Sequence, residues 1–451
     1  MEVVKEFIPD KFAPMIAPTP GDNATSLTCF TERRARVAKA IGLRDEILLI
    51  GAGEPVPLPG GADQTYPFRA HPEYYYLTGI DSPGGVLAFD PRGRSSHKWV
   101  SFVPEGTEAE KMWEGAAERP GTPLPELEIW LGNRRGRPII NLGAGLRGVR
   151  SDEGDVARVR EHITHVRRSK DRTEIALLRR AAAATAAGFS VVRKHIRPGV
   201  SERALQVELE AEFFRNGADR VGYETIIGSG ANAAVMHFAP SQRKLRRGDF
   251  VLIDAGAEVE RYVIDVTRTF VAGNKPTQFQ RDLLTLVLAA ERSAIKRCIP
   301  GAEWKDVHLK AATELTEGLI TMKLMKGRAE SLVEQGAHTL FFPHGIGHLV
   351  GLGIRDASGR YPGRPKSDSA ALKNLRMDLP LAAGYVTTVE PGLYFIPSIL
   401  NDSKRRRQYR QCVDWQKVGR YIELGGVRIE DTVLVTDSGP VVLTAAIVMD
   451  R

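Results

Sequence analysis

Cysteine is scarce in this chain. Cys29, Cys298 and Cys412 are the only three in 451 residues, scattered and odd in number. No Cys-x-x-Cys pair occurs, which argues against a disulfide framework or a thiolate zinc site and fits a reducing, cytoplasmic compartment. No apolar run approaches the ~18 residues of a transmembrane helix. The first residues, from Met1 to Met15, mix charge and proline early and lack the basic start and apolar stretch of a secretory leader. No membrane partner is therefore expected. The formal charge of +8 is modest for this length, and one dense basic run stands out, Lys404-Arg405-Arg406-Arg407 with Arg410. It lacks the aromatic interleaving of a nucleic-acid surface and reads as a solvated loop, so no nucleic-acid partner is expected.

With 42% hydrophobic and 26% charged residues, the chain has the composition of a folded globular protein rather than a disordered one. Its length predicts two domains. Residues 31–165 alternate helical and strand-like stretches. A helix is expected from Thr31 to Ile41, then strands at Ile47–Ile50, Tyr74–Leu77, Gly85–Phe89 and Trp99–Phe102, with surface loops over 119–137. The alanine-rich stretch Lys170–Arg193 reads as the first helix of a second domain, with Ile175, Leu178 and Ala182 on one face. The expected division is therefore 1–165 and 166–451. Within the second part, Pro198-Gly199 precedes a helical stretch at 202–216, and Pro300-Gly301 precedes another at about 304–320. This echo suggests a duplicated α/β half, although Pro-Gly before a helix is also a common start signal.

The second part also carries the chemistry. Phe250–Asp254 is an apolar β-rich run ending in a carboxylate, and Ile264–Phe270 is another, bearing Asp265. Paired as adjacent antiparallel strands through the 257–262 connection, they would bring the two acids within reach of one cation. A carboxylate in an apolar strand is costly unless it is paired or bound to metal. His344 and His348 flank Gly-Ile-Gly in an apolar segment, and neutral imidazole is a common metal ligand. Glu390 ends the run Val386–Val389, and Glu430 lies within Gly425–Val435. Four carboxylates balance two divalent cations, and the oxygen-rich set favours a hard ion such as manganese. Two such ions about 3.5–4 Å apart can activate a shared water.

Together, Asp254, Asp265, His-Gly-Ile-Gly-His, Thr-Val-Glu-Pro-Gly and Gly-Gly-Val-Arg-Ile-Glu-Asp resemble the signature of the pita-bread metallopeptidases, in their prolidase and aminopeptidase P branch. Tyr66–Arg69, Tyr74–Gly79 and Trp113–Gly115 resemble the amino-terminal domain of aminopeptidase P. The resemblance implies an α/β (α+β) fold. A creatinase-like α/β domain would be followed by a pita-bread domain with pseudo-two-fold symmetry. It implies two metal ions held by Asp254, Asp265, His348, Glu390 and Glu430, with His344 the second choice of histidine. Manganese is the first expectation, zinc or cobalt the others. It places Tyr223 beside the metals and the substrate, His237 and His344 on the substrate side, and Arg376 and Arg428 near a substrate carboxylate. Because Arg428 and Glu430 lie two apart on a strand, they share a face, and an arginine there could grip a carboxylate bidentately. By the same alternation, Thr267 and Thr388 are expected to orient Asp265 and Glu390.

In this branch a histidine usually follows seven residues after the metal histidine. Here Arg355 stands in its place. Arginine can stabilise an oxyanion but cannot exchange a proton near neutral pH. The expected reaction is hydrolysis of an amino-terminal Xaa-Pro bond. Glu390 would carry the proton, and His237 or Arg355 would steady the oxyanion. The first-choice substrate is the Xaa-Pro dipeptide, and the alternative is a longer peptide. A non-catalytic or creatinase-like member of the fold ranks below both. A homodimer or homotetramer is implied.

Overall fold

The structure, a computed structural model, describes residues 23–61, 63–94, 97–115, 120–273 and 275–449. Met1–Met15, read from sequence as lacking the features of a secretory leader, fall outside the described residues. The chain divides into two compact units, Met1–Val166 and Arg167–Arg451.

The first unit is built on a mixed five-stranded sheet. Its strands are β1 (Ile47–Gly51), β2 (Val86–Phe89), β3 (Trp99–Val103), β4 (Thr122–Pro123) and β5 (Ile139–Gly143), in the order β4-β3-β2-β1-β5. Helix α1 (Asn23–Ile41) begins earlier than expected, and α2 (Pro72–Thr78) corrects the sequence reading outright, because Tyr74–Leu77 is helical rather than a strand. Three adjacent tyrosines carry β propensity, but the local signals oppose it. Pro72 opens the helix, His71 caps it by accepting the Glu73 N–H, and Gly79 closes it at φ 69°. Glu73, buried on α2, accepts from the Gly143 N–H and from Arg160 Nε, both at 2.9 Å. Segment 119–137 is likewise not all loop. Its described part holds β4 and a helix, Glu126–Gly132, whose Leu127 is buried and whose Trp130 packs edge-on against Phe102.

The second unit repeats one plan twice. A helix pair, α3 (Arg172–His195) and α4 (Glu202–Arg215), precedes β6 (Arg220–Val221), β7 (Ile226–Ser229), β8 (Phe250–Asp254), β9 (Ala257–Val259), β10 (Tyr262–Val263) and β11 (Thr267–Val271). A second pair, Gln278–Ile295 and Trp304–Thr321, precedes β12 (Val386–Val389), β13 (Gly392–Tyr394), β14 (Gly426–Arg428), β15 (Asp431–Leu434) and β16 (Val441–Val442). Each half contains a three-stranded sheet, ordered β11-β8-β7 in the first and β12-β15-β16 in the second. The echoed Pro-Gly pairs each lead into the second helix of a pair. By length and composition α3 would pass for a membrane span, yet half of that stretch is buried and the helix packs on α4 and β9.

The run Phe-Val-Leu-Ile-Asp of β8 is apolar on both faces because two cores meet across it. Phe250 and Leu252 join one core with the second helix pair, while Val251 and Ile253 join the other with α3 and α4. The basic run is not a loop either. Ser403–Gln408 is a short helix capped by Asp402, and Arg406 lies over the Trp415 ring at 4.8 Å.

A buried ion triad fixes the loop after His348. Asp356, 1% exposed, accepts from Arg167 Nη2 at 2.5 Å and pairs with Lys170 Nζ at 3.0 Å. Burial alone would raise its pKa, but Lys170 and Arg167 more than offset this and hold it below the usual range. Asp356→Ala would strand two buried cations. It is expected to cost about 3–5 kcal/mol in urea unfolding. A loss under about 1 kcal/mol would contradict the anchoring role, since that is the worth of an exposed pair.

Candidate metal centre

The duplication explains where the acids sit. Asp254 ends β8, and Asp265 lies just ahead of β11. Glu390 follows β12, and Glu430 lies just ahead of β15. In each half the two strands pair antiparallel, with Thr267 opposite Asp254 and Val389 opposite Asp431. Each half therefore delivers two carboxylates to one end of a ladder. A bridge between Thr267 and Glu430 joins the halves. Close approach demands glycine nearby. A Cβ at Gly256 would collide with the Ile264 carbonyl oxygen, and one at Gly347 with the Thr388 carbonyl oxygen.

One oxygen from each of Asp254, Asp265 and Glu430 lies within 4.8 Å of the others. His348 Nε2 faces Asp265 Oδ2 at 3.5 Å. Its Nδ1 lies 3.1 Å from the Leu349 carbonyl, which puts the proton on Nδ1 and leaves Nε2 free to bind. Burial lowers the His348 pKa to about 4, so the ring is neutral, the form a metal needs. Glu390 lines the same cavity, of about 400 Å³, with Tyr223, His237, His344, Arg355, Arg376 and Arg428. Apart from Thr267 and Thr388, the candidate site residues named from sequence line this one cavity, though the surroundings differ from expectation in four places.

Arg428 has no idle nitrogen. Nη2 donates to Asp254 Oδ2 at 2.5 Å, Nη1 to Tyr394 Oη at 2.9 Å and Nε to Thr267 Oγ1 at 3.0 Å. It holds the wall together, and the expected grip on a substrate carboxylate gives way to that role. His344 is also committed: Nδ1 lies 2.9 Å from the Gly345 carbonyl and Nε2 2.9 Å from Tyr394 Oη. It supports the wall rather than presenting a free nitrogen to substrate. Thr267 donates to Glu430 Oε2 at 2.6 Å and not to Asp265, because its neighbour comes from across the bridge. Thr388 accepts the His348 N–H at 3.1 Å and does not reach Glu390. Arg355 and His237 are exposed, away from the buried acids in accessibility.

Three further residues support the centre. Tyr394 links Arg428 to His344. Thr432 Oγ1 exchanges hydrogen bonds with the backbone of Asp265. Arg268, 4% exposed, donates to the carbonyls of Glu430 at 2.6 Å and Thr267 at 3.0 Å, and to Asp431 Oδ1 at 2.7 Å. A sequence signal for Arg268 existed: an arginine amid Val-Thr-Arg-Thr-Phe in a buried strand has to be paired.

The donor set is short of positive charge. Tyr223 Oη lies 2.7 Å from Oδ1 of both Asp254 and Asp265, and one phenolic proton cannot serve two ionised acids. Burial, reinforced by mutual repulsion, pushes Asp265 and Glu430 well above the carboxylate range. Glu390 rises to about 7 through burial and the charge of Asp254, with Arg428 and Arg376 opposing. Divalent cations fit this set, since hard ions prefer oxygen ligands and relieve the crowding. A pH dependence follows. With Glu390 raised from 4.5 to about 7, the metal-free folded chain holds a proton that the unfolded chain has released. Its stability therefore falls as pH rises through that window. Cation binding removes this penalty, so the gain in Tm on adding Mn2+ should widen from about pH 5 to pH 7. A constant gain across that interval would contradict the reading.

Comparison with known proteins matches residues 176–437 to metallopeptidase family M24 and residues 30–122 to the aminopeptidase P amino-terminal domain. The Xaa-Pro aminopeptidase of Escherichia coli is 30% identical, covering 93% of this chain and 95% of its own. That of Haemophilus influenzae is 30% identical over 93% and 94%. A solved substrate complex of an Escherichia coli aminopeptidase P variant superposes with a TM-score of 0.75 at 27% identity, covering 94% of this chain and 96% of that one. Proline aminopeptidase P II from Yersinia pestis gives 0.75 at 28%, over 93% and 97%. The acids come in pairs from two repeated halves that follow a separate sheet domain in the sequence, and the chain belongs to metallopeptidase family M24.

Proposed function

We propose that this metallopeptidase removes the amino-terminal residue from peptides with proline in second position. The convergence of Asp254, Asp265, Glu430 and His348 on the cavity that Glu390 lines carries this reading. Of the two expected substrate classes, the longer peptide is favoured. The relatives are named Xaa-Pro aminopeptidases, and the commitment of Arg428 to Asp254 removes one argument for a dipeptide clamp. A non-catalytic or creatinase-like role has less support, because the full acid set is present.

Asp254, Asp265, His348, Glu390 and Glu430 are the proposed ligands of two divalent cations, with Mn2+ the first expectation. Bound there, the cations would supply an activated hydroxide and polarise the scissile carbonyl. Glu390, on the cavity lining, is the proposed acceptor of the water proton, which it would return to the proline nitrogen. His237 is the proposed donor to the developing oxyanion. Tyr223, bonded to both aspartates, holds their orientation. The tertiary amide before proline offers no N–H, which is why a dedicated site is useful. The scarcity of cysteine and the lack of a Cys-x-x-Cys pair support a reducing, cytoplasmic setting. The family resemblance supports a homodimer or homotetramer, which light scattering would check.

Two outcomes test the reading. The Mn2+-loaded protein should release alanine from an Ala-Pro-started pentapeptide faster than from Ala-Pro, and lose both activities on chelation. A preference for the dipeptide would return the assignment to prolidase, and release from an Ala-Ala-started peptide at equal rate would remove the proline requirement. Separately, Glu390→Gln should lower kcat about 10²–10⁴-fold while leaving the unfolding transition cooperative. Retention of wild-type kcat would remove Glu390 from proton transfer.

A further inference from the structure

The cavity is electrically polarised from floor to rim. Its floor is acidic: Asp254, Asp265 and Glu430 are at most 7% exposed. Its middle is apolar, with Met236, Phe238 and Ile354 half-buried along the lining. Its exposed lining residues include Arg355 and Arg376, with Glu224 the single acid among them. Neither arginine has an ion-pair or hydrogen-bond partner among the described residues. The cavity's third arginine, Arg428, is fully engaged below.

Arg355 is free at its tip but fixed at its base. The next residue is the buried Asp356, clamped by Arg167 and Lys170, and it also accepts the Leu352 N–H at 3.1 Å. The Leu349 N–H donates to Ser358 Oγ at 3.0 Å across the same loop. A mobile surface arginine loses side-chain entropy when it binds an anion, and a loop held this firmly limits the backbone's share of that cost. Its guanidinium stays charged at any working pH.

We infer that this rim reads a carboxylate on the leaving side of the scissile bond. Its source is an acidic side chain in the residues after proline, or the terminal carboxylate of a short peptide. The inference rests on the Xaa-Pro reading. With the acids neutralised by bound cations, the two rim arginines remain as positive charge at the exposed end of the cavity, where they draw a carboxylate on the far side of the scissile bond. Charge placed this way acts on encounter and on ground-state binding, and salt screens it.

The test uses the Mn2+-loaded full chain and two peptide pairs. Ala-Pro-Glu-Ala amide against Ala-Pro-Gln-Ala amide isolates the side chain. Ala-Pro-Gln acid against its amide isolates the terminus. The carboxylate-bearing member of at least one pair should show about fivefold higher kcat/KM, carried by KM and lost at about 0.5 M salt. Arg355→Gln should bring that ratio to about one, and Arg355→Lys should keep most of it. A wild-type ratio of one or less in both pairs overturns the inference, as does a ratio unchanged in Arg355→Gln. Should that variant fold poorly, the salt dependence of the wild-type ratio decides the same question. Alanine release without preference sinks the rim alone, whereas no release from any peptide sinks the Xaa-Pro reading and the rim with it.

Discussion

Four carboxylates crowded into a water-poor cavity floor are the constraint on which the rest depends. They cannot all ionise beside one another without compensating charge. Arg428 supplies one positive charge at Asp254, and the proposed cations supply the remainder. The surrounding polar groups hold the acids in place. Thr267 fixes Glu430, Tyr223 spans the two aspartates, Thr432 holds the Asp265 backbone, and Arg268 ties the strands that bring them together. The duplicated architecture makes the crowding possible, because each half ends a buried antiparallel ladder in the same way.

Much of this was legible in the sequence, and the reason is periodicity. Apolar runs ending in a single acid mark a buried strand carrying a functional group, and β8 was readable in that way. Cross-strand neighbours were not legible. Alternation along a strand puts Thr267 on the same face as Asp265, yet the hydroxyl bonds to Glu430, which lies 163 residues away. The same limit misjudged Arg428: sharing a face with Glu430 said nothing of Tyr394 and Asp254 on its other sides. At Tyr74–Leu77 the error was local, since aromatic β propensity was weighed above a proline start and a glycine stop. The segment 119–137 was misread because its prolines and arginines masked the packing of Leu127 and Trp130.

The buried triad at Asp356 connects the fold to recognition. An ion pair removed from water is seldom a net source of stability against an apolar replacement, so its retention points to a positional role. Here it fixes the loop that carries Arg355, whose guanidinium has no ion-pair partner among the described residues. The acidic floor and the basic rim are thus held by two separate networks, one around Arg428 and Arg268 and one around Asp356. Changes in substrate preference can then arise at the rim without disturbing the acids below.

The central claim is that the clustered acids with His348 form a two-cation centre. Metal content per chain after equilibration with Mn2+ and removal of free ion tests it most directly. About two ions per chain are predicted for the wild type, with loss of at least one in Asp265→Asn. A wild-type protein that retains no divalent ion while remaining folded would contradict the account.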